Sequence, residues 1–274
     1  MRYALQTNGI VLDDNWCAFL KEHNFLVGLS MDGAAQYHDA NRVNPAAEGT
    51  YKIVKTAKSL LEKHGVEYNI LTVLTAEIAR HPQKIWQWIK QESIAYIQFI
   101  PCLDELDKPP SSPYALTPKR FAAFYITLFK LWLAELKSGK YISVKLFDDV
   151  INLIGRGEVN ACGLIGKCQT QLVVEADGSV YPCDFYALDE YCLGNMCTQS
   201  ADEMVKSKQA ERFLNREQSD KTNCDGCQYH SICNAGCPRQ RASVCFSKQG
   251  DPCGYKEFLA ACIPDMLEIA RMQH

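Results

Sequence analysis

Short apolar runs alternate with amphipathic stretches through the first 155 residues. Arg2–Thr7, Phe25–Ser30, Val66–Thr75 and Tyr96–Ile100 are rich in β-branched and aromatic residues and read as strands. Asp13–Glu22, Thr50–His64, Pro82–Gln91, Pro118–Lys137 and Val144–Ile154 read as helices. Asp13 or Asp14 can cap the first helix, and Gly65 ends the second, whose apolar face is expected at Ile53, Ala57, Leu60 and Leu61. The Pro-rich stretch Lys108–Pro118 reads as a loop. Runs such as YNILTVL do not alternate, which marks strands covered on both faces. Strand–helix–strand order then implies an α/β fold with a parallel sheet. About four strands are visible, and because the first begins at residue 2 the sheet reads as cut off at an uncovered edge.

The texture changes near residue 156, so the chain divides into 1–155 and 156–274. Gln171–Glu175 and Ser179–Tyr181 flank Ala-Asp-Gly, a hairpin signal with Gly178 free to take positive φ. The rest is loop-rich until a closing helix, Gly254–Met272.

Composition adds little until cysteine is counted. With 274 residues, 47% hydrophobic and 22% charged, a packed core is expected. A net charge of -3 gives no footprint for nucleic acid or an anionic membrane, and no apolar run reaches spanning length. The first residues lack the apolar core and cleavage site of a signal peptide, so a cytoplasmic location is expected. Of 14 cysteines, only Cys17 and Cys102 precede residue 160. Disulfide-dense domains are small and exported, so metal ligation is the favoured reading of the remainder.

Cys224, Cys227, Cys233 and Cys237 form C-x2-C-x5-C-x3-C, a run suited to a structural zinc site or to an iron–sulfur cluster. Cys162, Cys168 and Cys183 add three thiolates, one short of a site, and Cys253 makes eight, enough for two centres that share ligands across the groups.

This order resembles the SPASM module that follows many radical-SAM domains. The resemblance implies two auxiliary [4Fe-4S] clusters. Cluster one would take Cys162, Cys168, Cys183 and Cys237; cluster two would take Cys224, Cys227, Cys233 and Cys253. Cys245 competes for the last place, but Cys253-Gly-Tyr-Lys is more similar to the family's C-x-Y-K ending. Cys192, Cys197 and Cys262 are left as packing residues.

The first half resembles the same family. Leu5-Gln-Thr-Asn-Gly9, Gly28-Leu-Ser-Met-Asp-Gly33 with His38, Asp39 and Arg42, and Gln98-Phe-Ile-Pro-Cys-Leu103 look like strand ends of anaerobic sulfatase-maturating enzymes. By that resemblance Ser30, Arg42 and Leu103 contact S-adenosylmethionine, at the strand ends where parallel folds bind ligands. Ser30 and Asp32 equally suit a turn, and Arg42 a surface charge.

The implied fold is an incomplete radical-SAM partial (β/α)6 barrel followed by a loop-rich SPASM module. The implied reaction oxidises an active-site Cys or Ser of a sulfatase polypeptide to formylglycine, with a flavodoxin or ferredoxin as low-potential donor. Asp184, directly after Cys183, would be the general base. An ordinary carboxylate is a weak base for a thiol, so burial that raises its pKa is expected. One departure is plain: no C-x3-C-x2-C motif and no Gly-Gly-Glu segment occur here. The chain alone is therefore expected not to cleave S-adenosylmethionine. A SPASM maturase of another peptide and a non-catalytic iron–sulfur electron-transfer module remain alternative readings.

Overall fold

A computed structural model describes residues 3–106, 112–158, 161–216, 224–248 and 250–272. In chain order the first half runs β1 (Tyr3–Thr7), α1 (Asp14–Glu22), β2 (Phe25–Ser30), α2 (Ala35–His38), α3 (Tyr51–Lys63), β3 (Tyr68–Leu74), α4 (Pro82–Gln91), β4 (Tyr96–Pro101), α5 (Pro118–Lys137), β5 (Ser143–Val144) and α6 (Lys145–Arg156). The local signals explain most boundaries. The Asp13 carboxylate accepts the Trp16 N–H at 2.8 Å to start α1. Pro82 and Pro118 stand in the first turns of α4 and α5, where their missing N–H costs nothing. Gly157, with φ of 71°, ends α6 in a left-handed turn.

The strands form one sheet in the order β1-β2-β3-β4-β5, and every pairing is parallel. β1 lies at its edge, and Tyr3 is largely exposed there, stacked on Phe25 at 5.1 Å. The fifth strand escaped the sequence reading because two residues running straight into a helix carry no period of their own. Helix α3 buries Val54, Ala57, Lys58 and Leu61, while Ile53, expected on the apolar face, is exposed. Both sets fit a helical stripe, and packing selects the one a quarter-turn away. Within the Pro-rich stretch Lys108–Pro118, residues 108–111 lie outside the described residues.

After residue 158 the elements are short: α7 (Cys162–Ile165), β6 (Val173–Val174), β7 (Ser179–Tyr181), β8 (Gly194–Asn195), α8 (Ala201–Val205), α9 (Lys208–Leu214), α10 (His230–Cys233), α11 (Arg241–Val244) and the long α12 (Gly254–Met272). The expected hairpin is β6–β7, with Gly178 at φ of 85°, but it is shorter than expected and gains β8 as a third antiparallel strand. Helix α12 returns to the first half. Its Phe258 packs on Phe147 of α6 at 6.2 Å and on Tyr125 of α5 at 5.8 Å. An aromatic core of Phe124, Phe129, Trp132, Phe147 and Phe258, each almost wholly buried, thus locks both chain segments together. Among the described residues, no helix is long and apolar enough to cross a membrane.

Candidate iron–sulfur and substrate site

None of the fourteen cysteines is paired in a disulfide. Cys162, Cys168, Cys183 and Cys237 line one cavity of about 330 Å³, which Cys245 also reaches. The backbone explains how residues 75 positions apart meet. The Cys237 N–H donates to the Gly163 carbonyl at 3.1 Å. Gly166 takes φ of 59°, and a Cβ there would collide with the Asn234 carbonyl, so only glycine lets the two loops approach. The turn bearing Cys162 and Cys168 is thereby laid across the end of the C-x2-C-x5-C-x3-C run, and Cys237 is drawn away from its sequence neighbours.

The other four expected ligands form a second group. A buried Cys233 thiol, pushed up to about 11 by desolvation, feels the charges of Cys253, Cys224 and Cys227. Cys224 and Cys227 are joined by a tight turn, with the Cys227 N–H on the Cys224 carbonyl at 3.1 Å. Cys245 is also present. It is buried and sits beside Cys253, with the Gly254 N–H donating to the Cys245 carbonyl at 2.7 Å. The hydrogen bond between the two sulfurs lowers the pKa of Cys253 and raises that of Cys245, whose S–H also reaches the Ala235 carbonyl at 3.7 Å.

Burial raises three thiols of the first group as well: Cys162 and Cys237 upward, and Cys183 to about 12. Buried thiols that resist ionisation need a cationic centre to become ligands. The donor set is all sulfur, which suits iron–sulfur chemistry and structural zinc alike. Among the described residues, no three Cys, His, Asp or Glu side chains converge as they would on one metal ion.

The same cavity is lined by Asp184 and by Gln98, Phe99 and Pro101 from β4. Asp184 begins a 3-10 turn, Asp184–Tyr186, and its Oδ1 accepts the Phe185 N–H at 3.1 Å and the Cys183 S–H at 3.4 Å. It is exposed at the cavity rim, not buried as was expected. The bond to the Phe185 N–H is the turn-capping role expected of Asp184. Cys262 is buried as a packing residue, but Cys197 is exposed, since it lies in the turn after β8, which the sequence did not reveal.

At the carboxyl end of the sheet, Ser30 closes β2 and Leu103 follows β4, each half-buried. Arg42 is not a free surface charge. Its Nε donates to Asp32 at 2.5 Å, and Asp32, buried, also accepts the Val73 N–H at 2.8 Å. Beneath them His38 is fully buried. Its Nδ1 accepts the Asp32 N–H at 3.2 Å, which leaves Nε2–H to donate to Thr50 Oγ1 at 3.0 Å. Thr50 then donates to the Arg42 carbonyl at 3.0 Å. This ring of bonds fixes the loop that carries Arg42.

Residues 157–228 match the SPASM iron-sulfur cluster-binding domain. A cysteine-type anaerobic sulfatase-maturating enzyme of Clostridium perfringens (strain 13 / Type A) is 38% identical over 271 residues, covering 97% of this chain and 73% of that protein. The chain belongs to the anaerobic sulfatase-maturating enzyme family. It is thus a member of the radical-SAM proteins. The cysteine-type enzyme of Clostridium novyi (strain NT) is 37% identical over 87% of this chain, which spans 64% of that relative. The serine-type enzyme of Bacteroides thetaiotaomicron is 32% identical over 88% of this chain and 61% of that relative. Among solved structures, native anSMEcpe with bound AdoMet and the Cp18Cys peptide superposes with a TM-score of 0.92 at 35% identity, covering all of this chain and 77% of that one. Streptococcus suis SuiB, at 12% identity and a TM-score of 0.60, shares the fold alone.

Sequence reasoning missed one residue of this site. Arg216, two positions beyond α9, lines the cavity and donates through Nη2 to Cys168 Sγ at 3.3 Å. No motif marks it, and it lies 48 residues from the sulfur it touches.

Proposed function

We propose that this chain is the auxiliary-cluster portion of a radical-SAM maturase that oxidises an active-site Cys or Ser of a sulfatase to formylglycine. The supporting observation is one cavity lined by Cys162, Cys168, Cys183 and Cys237, with Cys245 beside them, and by Asp184 and the carboxyl end of β4. The chain divides in function into a partial barrel, 1–155, and a cluster module, 156–274. Cysteines 162, 168, 183 and 237 hold cluster one; cysteines 224, 227, 233 and 253 hold cluster two. Ser30, Arg42 and Leu103 contact S-adenosylmethionine.

When bound, the clusters supply one-electron acceptors beside the substrate. The chain's own residues do the rest. The cavity seats the target side chain between β4 and the Cys183 turn. Asp184 would take the proton of the target side chain on a carboxylate oxygen, Ser30, Arg42 and Leu103 would hold the S-adenosylmethionine that supplies the hydrogen-atom acceptor, and cysteines 162, 168, 183 and 237 would hold the cluster that supplies the electron acceptor. The substrate partner is a sulfatase polypeptide, the reductant a cytoplasmic flavodoxin or ferredoxin.

The sequence carries no C-x3-C-x2-C motif, so the chain alone does not generate the radical. Anaerobically reconstituted chain with S-adenosylmethionine and a strong reductant should give no 5′-deoxyadenosine, yet should bind a sulfatase peptide bearing the target Cys in preference to a scrambled one. Deoxyadenosine formation would overturn the first statement, and equal binding of both peptides the second. The missing motif also favours a second reading, a non-catalytic iron–sulfur electron-transfer module, which predicts equal binding of both peptides.

A further inference from the structure

Arg216 is an unusual wall for a cavity. Its guanidinium carbon lies 3.9 Å from the Phe213 ring centroid and 4.6 Å from that of Tyr186. Those rings meet edge to face at 5.6 Å, and Tyr191 completes the cluster at 5.5 Å from Tyr186. Nη1 donates to the Phe213 carbonyl, and Nη2 donates to Cys168 Sγ at 3.3 Å. Phe213 and Tyr186 are both buried, and Arg216 is half-buried against them.

Withdrawing a guanidinium from water carries a penalty that is normally met by a carboxylate. Among the described residues Arg216 forms no salt bridge to a carboxylate; its charge is answered by two ring faces, the Phe213 carbonyl and one sulfur. The side chain is planar and held on three sides, so its remaining fork is aimed at Cys168 by packing and not by chance rotation.

We propose that Arg216 is a positioning residue that sets the electron affinity of cluster one through its hydrogen bond to the Cys168 sulfur. This rests on the reading that cysteines 162, 168, 183 and 237 hold a cluster. A cationic donor on a ligating sulfur withdraws electron density and favours the more negative, reduced state, which raises the reduction potential. One electron arriving at cluster one is therefore stabilised without any proton moving, since arginine stays charged. Cluster two gains nothing from this contact, so the two centres are separated in potential, and cluster one is the one suited to receive the substrate's electron.

The test is a redox titration followed by electron paramagnetic resonance, with iron counted, on reconstituted full chain, Arg216→Gln and Arg216→Lys. Arg216→Gln should keep its iron and shift one of two potentials downward, leaving the other in place. Arg216→Lys, which keeps the charge without the planar stack, should shift the same potential by less. Two unchanged potentials, equal shifts of both, or loss of iron from either variant would make Arg216 a structural brace and overturn the proposal. No cluster signal in the unsubstituted chain would instead overturn the reading on which it rests.

Discussion

The sheet region and the cysteine region are held together by different physics. Around the sheet, Leu29, Ile70, Leu74, Phe124, Phe129 and Phe147 lie in one continuous apolar cluster, fully or almost fully buried. The cysteine region joins that cluster through Leu164, Cys233, Cys245, Phe246 and the buried face of α12, and adds a small separate one of Val180, Leu193, Met204 and Ala210. Its backbone turns through left-handed positions at Gly166, Gly178, Gly226, Asn234, Ala235 and Gly236. The first region can hold its shape by excluding water from side chains. The second buries less of its own, and on the proposed reading the clusters held by its sulfurs would add to its order. One part is a scaffold, and the other is a site the scaffold presents.

Removing iron should separate the two most sharply. Chelation of reconstituted protein is expected to abolish amide-exchange protection across Cys162–Phe246, while β2, β3 and β4 keep theirs. Protection lost equally in both would remove the distinction. The next effect is confined to the scaffold. Phe129→Ala should cost about 3–5 kcal/mol in urea unfolding without changing iron per chain; a fall in iron would show that the two regions are not separable.

A smaller effect concerns pH. Burial, more than its charged neighbours, lowers the pKa of His38, with Asp32 and Asp39 opposing and Arg42 assisting. The folded chain then keeps His38 neutral where the unfolded chain takes up a proton, below about pH 6.5. Its contribution is intact above that pH and lost as the pH falls below it. Unfolding free energy should decline from about pH 7.5 to about pH 5.5, and His38→Gln should flatten that slope. An unchanged slope would remove His38 from the account. Smallest of all, Lys206→Ala breaks a pair whose partners are both more than 70% exposed, and the change should stay within about 0.5 kcal/mol.

The same division governs what the sequence disclosed. Long elements with caps and continuous apolar runs, such as YNILTVL or Pro118–Lys137, announced themselves because period and termination agree. β5 and β8 are two residues each and exist through tertiary pairing alone. The C-x2-C-x5-C-x3-C spacing disclosed metal chemistry, but the path that carries Cys237 to Cys162 depends on a Gly163 carbonyl and a crowded Gly166. Exposure of Asp184 and the reach of Arg216 to Cys168 arise from turns without a sequence code.

Whether the thiols gather iron and sulfide is most directly settled by quantifying both, with zinc, after anaerobic purification. Two four-iron clusters predict about eight irons and about eight sulfides per chain. Zinc bound without sulfide would contradict the account.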